Sequence, residues 1–380
     1  MRAAIVGAGI AGLVAARQLG LAGWNVDVYE RSAGPNPSGY MMDFFGSGFD
    51  AAERIGILSR LKEVSYRVDS VEYVDSAWRP TARLDYEQFY QVLGGRLLSL
   101  MRPDMERVLL TAVRDVPEGR IRVQYGHRIG AAEQPIPEGV DLVIGADGIH
   151  SAVRRTLFGD EAAFVRDLGL RAAAFVVEEP GLHRQFAGRF VLTDTVRREA
   201  GLYGLRDGRV AVFLVYRDRD LLPGEPAPAR LRRVFAGLAD PVDRALALCP
   251  DDAYDDMVGQ AVVPAWHEGT TVLLGDACQA VSLLAGQGAS LAIAGAALLT
   301  ELVGPCRDTA SVLTALAEYE RRWSPLVAEK QAVGRRAAGT FLPETRRALL
   351  LRRLILRAAL LPGVDRLLAR RLAGKTRLTS

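Results

Sequence analysis

The chain has 380 residues, 49% of them hydrophobic and 24% charged, with a mean hydropathy of +0.08, a composition that excludes a disordered, collagen-like or coiled-coil architecture and leaves room for about two to three globular domains. Three scattered cysteines (Cys249, Cys278, Cys306) and four histidines without HxxxH or HExxH spacing make neither a disulfide framework nor a metal-hydrolase site. The net charge of +3 is uneven, since residues 345–380 carry ten basic side chains and one acid (+9) and residues 1–344 sum to −6, whereas a nucleic-acid protein spreads basic charge over its folded body.

In chain order, residues 2–7 (RAAIVG) read as a short buried strand, 10–22 as a helix rich in Ala and Leu, and 25–30 (NVDVYE) as a second strand. This strand–helix–strand unit of about thirty residues has the size of a βαβ crossover. No charged stretch followed by an apolar run and cleavage site opens the chain, so no signal peptide is expected and the setting is the reducing cytoplasm. Residues 31–48, rich in Gly, Pro and Ser, read as a loop, and 48–62 as a helix. Residues 70–75 and 81–86 read as a strand pair, 103–115 as a helix, and 140–145 (VDLVIG) as a short apolar strand. After residue 168 the pattern turns to strands at 171–177, 189–193, 201–205 and 209–216, which predicts an antiparallel sheet inserted into an α/β protein. A Pro-rich loop (222–229), a helix (229–239), a strand (270–275) and a mostly helical remainder from 286 follow. The 24 uncharged residues between Asp276 and Glu301 could span a bilayer by length. Gln279, Ser282, Gln287 and Ser290 break that run, so it reads as a polar loop feeding a buried helix.

Three segments carry the chemistry. The first is Gly7-Ala8-Gly9-Ile10-Ala11-Gly12 between strand and helix, answered by Glu30 at the end of the next strand. Gly7 permits the tight turn, Gly9 lets the backbone approach a pyrophosphate, and Gly12 lets helix and strand pack closely. Ile10 and Ala11 open a helix whose free N–H groups face the phosphates, and Glu30 can accept hydrogen bonds from an adenosine ribose. The second is the strand ending in Asp147-Gly148, followed by His150, Ser151 and Arg154. The third is Gly275-Asp276, running on to Gly286-Gln287-Gly288-Ala289 before a helix. Strand ends of a doubly wound sheet are where ligands bind, although either Asp alone is more often a turn cap.

In order and spacing, these three segments resemble the class A FAD-dependent monooxygenases, the para-hydroxybenzoate hydroxylase-like family, over nearly the whole chain. Gly39-Tyr40-Met41-Met42-Asp43-Phe44, Leu84-Asp85-Tyr86, Leu100-Met101-Arg102-Pro103-Asp104 and the helical extension after residue 330 are similar to the tetracycline-inactivating branch. The resemblance implies a Rossmann-like FAD-binding domain (1–69, 95–167 and 262–330), an inserted antiparallel substrate sheet (70–94 and 168–261) and a C-terminal helical extension (331–380). By the same resemblance, Gly7, Gly9 and Gly12 hold the FAD pyrophosphate, Glu30 binds the ribose, and Arg31 flanks the adenine. Arg102 contacts the ribityl and phosphate side, Asp147 belongs to a segment shared with NAD(P)H, Asp276 binds the ribityl chain, and Gly286-Gln287-Gly288 faces the flavin ring. There is no second GxGxxG, in keeping with a family in which NAD(P)H visits without a Rossmann domain of its own. Met42, Phe44 and Phe213 are candidates for the substrate pocket.

The implied activity is hydroxylation of an aromatic or polyketide-like molecule through a flavin peroxide formed with O2, a tetracycline-type ring system being one candidate substrate. Gln279 and Leu283 depart from the family's usual His and Pro, and Ser290 from its Asn. A flavin enzyme without oxygen transfer, or a silent binding protein, therefore stands as the alternative. His150 reads as a structural loop histidine and Cys278 as a small buried residue. The basic tail reads as a helix packed on the body with a solvated basic edge, ahead of a lid over the substrate mouth or contact with an anionic membrane surface.

Overall fold

The computed structural model describes residues 1–35, 39–130, 134–217, 222, 224–282 and 286–359. The strand Arg2–Val6 is buried along four of its five residues and Leu142–Gly145 along all four, the pattern of parallel strands covered on both faces. They are the centre of a six-stranded sheet ordered His267–Glu268, Thr271–Leu273, Leu142–Gly145, Arg2–Val6, Asn25–Glu30 and Ile121–Tyr125. All neighbours in it are parallel except the terminal hairpin. The chain leaves Arg2–Val6 toward Asn25–Glu30 on one side and later returns on the other as Leu142–Gly145. That reversal places a topological switch point, where such sheets bind ligands, at Gly7.

The expected second sheet is present and has seven strands, ordered Tyr254–Ala261, Val165–Val177, Val210–Tyr216, Arg198–Gly204, Arg189–Thr193, Ser70–Val74 and Pro80–Asp85. It is mixed rather than wholly antiparallel, because Arg189–Thr193 pairs parallel with Ser70–Val74. These two strands come from separate excursions of the chain, so no hairpin fixes their relative direction. One face packs Phe175, Val212, Leu214 and Tyr216 against Phe186, Leu231 and Phe235 of the helices Pro180–Phe186 and Ala227–Phe235. On the other face Phe213 and Val215 meet Ala338, Phe341 and Leu342, and Tyr203 and Phe190 meet Met41 and Met101.

Three local expectations are corrected. The segment read as a loop holds the strand Met41–Phe45, paired antiparallel with Leu97–Met101. The helix read over 48–62 is two, Ser47–Arg54 and Leu58–Val64, parted at Gly56, whose φ of +74° leaves the helical region. The boundary expected at 331 falls inside the 33-residue helix Thr309–Phe341, which opens on a reciprocal Asp308–Ser311 cap.

Candidate functional site

Each glycine of the first motif has its own geometric reason. Gly7 has φ +106°, and a Cβ there would lie 2.3 Å from the Ala146 carbonyl oxygen, across the switch point. A Cβ on Gly12 would lie 2.0 Å from the Gly7 carbonyl oxygen. Gly9 differs: among the described residues no atom beyond its chain neighbours lies within 4 Å of the Cβ position. It caps the helix Ile10–Leu21, no side chain accepts from the free N–H groups there, and the first turn carries no acid. The helix therefore presents unsatisfied donors and positive potential to open space. Ile10 and Ala11 are buried and fix the start of this helix in the core.

Gly275 and Asp276 sit directly above it. A Cβ on Gly275, at φ +62°, would lie 2.8 Å from the Ala11 Cβ. Beyond them the helix Gly288–Val303 starts at Gln287 without a side-chain cap among the described residues, none of which comes within 4 Å of the Gly288 Cβ position. Gly286 at its approach has φ +62°, Ala289 packs on the core, and the Ser290 Oγ is buried with no hydrogen-bond partner among the described residues. At their far ends the two helices meet: a Cβ on Gly304 would lie 3.2 Å from the Ala22 Cβ, and Trp24 donates its indole N–H to the Gly304 carbonyl at 3.2 Å. They run in the same direction and open both N-termini on one side, with Asp276 between them.

Asp276 keeps open surface, yet burial raises its carboxyl above the usual range, against the pull of Arg102. Open surface gives contact with water and the enclosing protein gives depth, so Asp276 lies on the floor of an internal cleft. The same pairing holds for Tyr40, partly open and pushed by burial to about 12. For Arg102, burial works against the charge, but Glu106, Tyr40, Asp276 and Tyr254 raise its pKa overall, and its Nε donates to Glu106 at 3.1 Å. Tyr40 meets Phe213 at 5.7 Å and Tyr254 at 6.5 Å between ring centroids. Phe213 and Tyr254 share a face of the second sheet, as their common partner Ala174 shows. The cleft thus runs from two helix N-termini past a carboxylate and a guanidinium to an aromatic floor contributed by the second sheet.

The remaining candidates divide. Glu30 stands at the mouth of the first motif, where its carboxylate accepts from the Ala8 and Ser32 backbone N–H groups, each at 2.9 Å. Arg31 beside it is exposed. Asp147 accepts from the Ser151 hydroxyl at 2.5 Å and from the Ala152 and Val153 N–H groups at 2.6 and 3.1 Å, so its carboxylate caps the following helix, the commoner role for such an Asp. Phe44 is not a pocket residue. It is fully buried, its ring 6.5 Å from Phe49 in the core around the six-stranded sheet. Alternation along Met41–Phe45 puts Met42 on that same core side. The opposite face, Met41 and Asp43, turns to the second sheet, where Asp43 accepts from Ser99 at 2.9 Å and from Tyr86.

Sequence reasoning missed Tyr40, Glu106 and Tyr254 as cleft residues, and Arg154 as a joint. The Arg154 guanidinium, fully buried, donates to the Ala277 carbonyl at 2.7 Å and the Ile149 carbonyl at 2.6 Å. It ties the Asp147 and Asp276 segments together. Gln279 turns away from the cleft and accepts the Trp323 indole N–H at 2.6 Å, so this departure from the family pattern belongs to helix packing. Leu283 lies outside the described residues. His150 joins the two sheets' segments, with Nδ1 2.8 Å from Glu161 and Nε2 2.9 Å from Asp256. The hydrogen bond that the ring donates to Asp256 outweighs burial and, with Glu161, raises the His150 pKa to about 9.

Comparison with known proteins agrees with this geometry. Residues 139–330 match the FAD binding domain family, and residues 5–44 match an NAD(P)-binding Rossmann-like domain. An uncharacterized protein of Mycobacterium tuberculosis is 32% identical over 318 residues, covering 78% of this chain and 82% of its own. A 3-amino-4-hydroxybenzoate 2-monooxygenase of Streptomyces platensis is 27% identical over 347 residues, covering 86% of this chain and 85% of its own. The crystal structure of the tetracycline destructase Tet(55) superposes with a TM-score of 0.78 at 23% identity, over 100% of this chain and 98% of that one; at that identity it shows a shared fold. The glycine turn at the switch point, the two open helix N-termini and these matches together make the chain a member of the FAD binding domain family, the class A FAD-dependent monooxygenases.

Proposed function

We propose that this protein uses NAD(P)H and O2 to hydroxylate an aromatic or polyketide-like small molecule, with FAD held in the cleft. The observation that carries this reading is the convergence of two uncapped helix N-termini on Asp276, beside an aromatic floor of Tyr40, Phe213 and Tyr254. Bound FAD supplies electron storage and oxygen activation; the protein supplies binding, orientation and electrostatics.

The Cβ positions of Gly9 and Gly288, open among the described residues, fit a ligand that approaches backbone closely. Gly7, Gly9 and Gly12 with the helix Ile10–Leu21 would hold the pyrophosphate. Glu30 and Arg31 would flank the adenosine. The Asp276 carboxylate would accept from ribityl hydroxyls, and Arg102 would face the phosphate side. Gly286, Gln287, Gly288 and Ala289 would present N–H groups to the electron-rich edge of the ring, where negative charge develops on reduction. Asp147 would act by fixing the strand end that faces the incoming nicotinamide. Phe213 would contact an aromatic substrate by ring packing.

The residue ranges 1–69, 95–167 and 262–330 for the FAD domain and 70–94 and 168–261 for the substrate domain remain part of this reading. Three cysteines, all free and buried, support the cytoplasm as its place; no helix among the described residues is long and apolar enough to cross a membrane.

The experiment is NAD(P)H oxidation by FAD-loaded protein under labelled dioxygen with a panel of phenols and fused-ring polyketides. A product carrying one labelled oxygen supports the reading. Substrate-stimulated oxidation that yields only hydrogen peroxide with every compound refutes oxygen transfer.

A further inference from the structure

The C-terminal helix Arg346–Ala359 docks the opposite way round from its sequence pattern. Leu349, Arg352 and Arg353 turn toward the body. Arg352 pairs with Glu199 at 2.7 Å and lies 5.6 Å over the Tyr73 ring. Arg353 pairs with the Asp194 carboxylate at 2.7 Å and donates to its carbonyl at 2.8 Å. Both acids are buried, Asp194 at 0% and Glu199 at 6% exposure. Arg353, expected with Arg346 and Arg357 on a solvated basic edge, is thus an anchor together with Arg352.

The apolar face is therefore turned outward. Leu350, Leu351, Leu354 and Ile355 are 63%, 58%, 65% and 57% exposed, and at 100° per residue they fill an arc of about 140°. Other large apolar side chains open to solvent, such as Leu21, Leu157 and Leu248, stand singly, which needs no explanation. Here four adjoin, with Arg346 and Arg347, both exposed, at the start of the same helix. The sequence that follows adds Arg366, Arg370, Arg371, Lys375 and Arg377 against Asp365 alone.

We propose that this outward face is a docking surface for an anionic lipid bilayer. An occupant must cover four aliphatic side chains and at the same time complement a basic C-terminal segment that keeps a charge of +7 once Arg352 and Arg353 are paired with Glu199 and Asp194. A bilayer with acidic headgroups does both, taking the leucines into the acyl boundary and the arginines to the phosphates. Face-to-face pairing with a second copy would bring two such basic segments together, which repel. The helix would lie on the membrane, anchored to the body by Arg352 and Arg353. This proposal does not depend on the flavin chemistry.

The test is co-sedimentation of the full-length, FAD-loaded protein with vesicles of phosphatidylglycerol and phosphatidylcholine, against vesicles of phosphatidylcholine alone, at low and high salt. Binding is expected only to the acidic vesicles, weakened by salt. The double variant Leu350→Glu/Leu354→Glu should lose binding by about tenfold or more with an unchanged melting temperature, since both side chains face solvent. Arg346→Glu/Arg347→Glu should weaken it too. Equal binding of wild type and the leucine variant overturns the proposal, as does no binding by the wild type. A wild-type dimer that the leucine variant splits, with no vesicle binding, would assign the face to a second copy instead.

Discussion

Substituting Gly9 and Gly12 one at a time separates ligand space from packing space within a single motif. At Gly12 an added Cβ would stand 2.0 Å from the Gly7 carbonyl oxygen. That is backbone against backbone, so the first helix must shift away from its strand. Overpacking of this kind costs about 1–3 kcal/mol or more, and the Gly12→Ala apoprotein should melt several degrees low. At Gly9 the φ of −79° is ordinary for alanine, and no described residue beyond its chain neighbours comes within 4 Å of the Cβ position. Gly9→Ala should therefore change stability by only about 0.5 kcal/mol. Its methyl group, however, occupies the space beside the open N–H donors. Losing one charge-assisted hydrogen bond to phosphate there is worth about 1.5–3 kcal/mol, or roughly 10- to 100-fold in the dissociation constant for FAD. Thermal melts of the apoproteins and fluorescence titration with FAD measure the two effects separately. A Gly9→Ala protein that folds and binds FAD like the wild type would refute the assignment of this space to the cofactor. So would one that unfolds as readily as Gly12→Ala.

Asp276→Asn should weaken FAD binding by about tenfold, one lost hydrogen bond to a charged acceptor. Its apoprotein should be at least as stable as the wild type at pH 7, because burial raises the Asp276 pKa and the ionised form therefore costs stability there. His150, raised from 6.5 to about 9, should stabilise the fold fully below about pH 6.5, with the contribution lost as pH rises through about 9. Because its side chain is 37% exposed, solvent screening holds this to about 1 kcal/mol. Chemical denaturation between pH 6 and 10 should show the loss in the wild type and a flatter profile in His150→Gln, and parallel profiles would remove His150 from the account. Phe44→Ala should cost about 3–5 kcal/mol of stability, as a core truncation. Phe213→Ala, partly open beside Tyr40, should leave the melt nearly unchanged and raise KM for an aromatic substrate. A reversal of the two effects would return Phe44 to the pocket.

What could be read from the chain alone was local. Gly7, Gly9 and Gly12 each answer a constraint within a few residues or at the adjoining strand end, and their spacing carries that constraint. Asp276 was legible because a buried strand runs straight into it. The strand Tyr254–Ala261 was not, since Asp255, Asp256 and Gly259 disguise it. It is held by pairing with Val165–Val177 and by Arg171 and Tyr216 on Asp255, all far off in sequence. Tyr254 went unseen with it. The misplacement of Phe44 has the same origin: four apolar residues around Asp43 at 41–45 do not say which face meets which neighbour. In the C-terminal helix the two faces were legible, but not which one docks. That choice rests on Asp194 and Glu199, more than 150 positions away.

The visible absorption spectrum of the purified protein, followed by identification of any flavin released on denaturation, tests the central claim most directly. The account predicts one FAD per chain, bound in the wild type and depleted in Gly9→Ala and Asp276→Asn. A well-folded protein that is colourless and takes up no added FAD would contradict it.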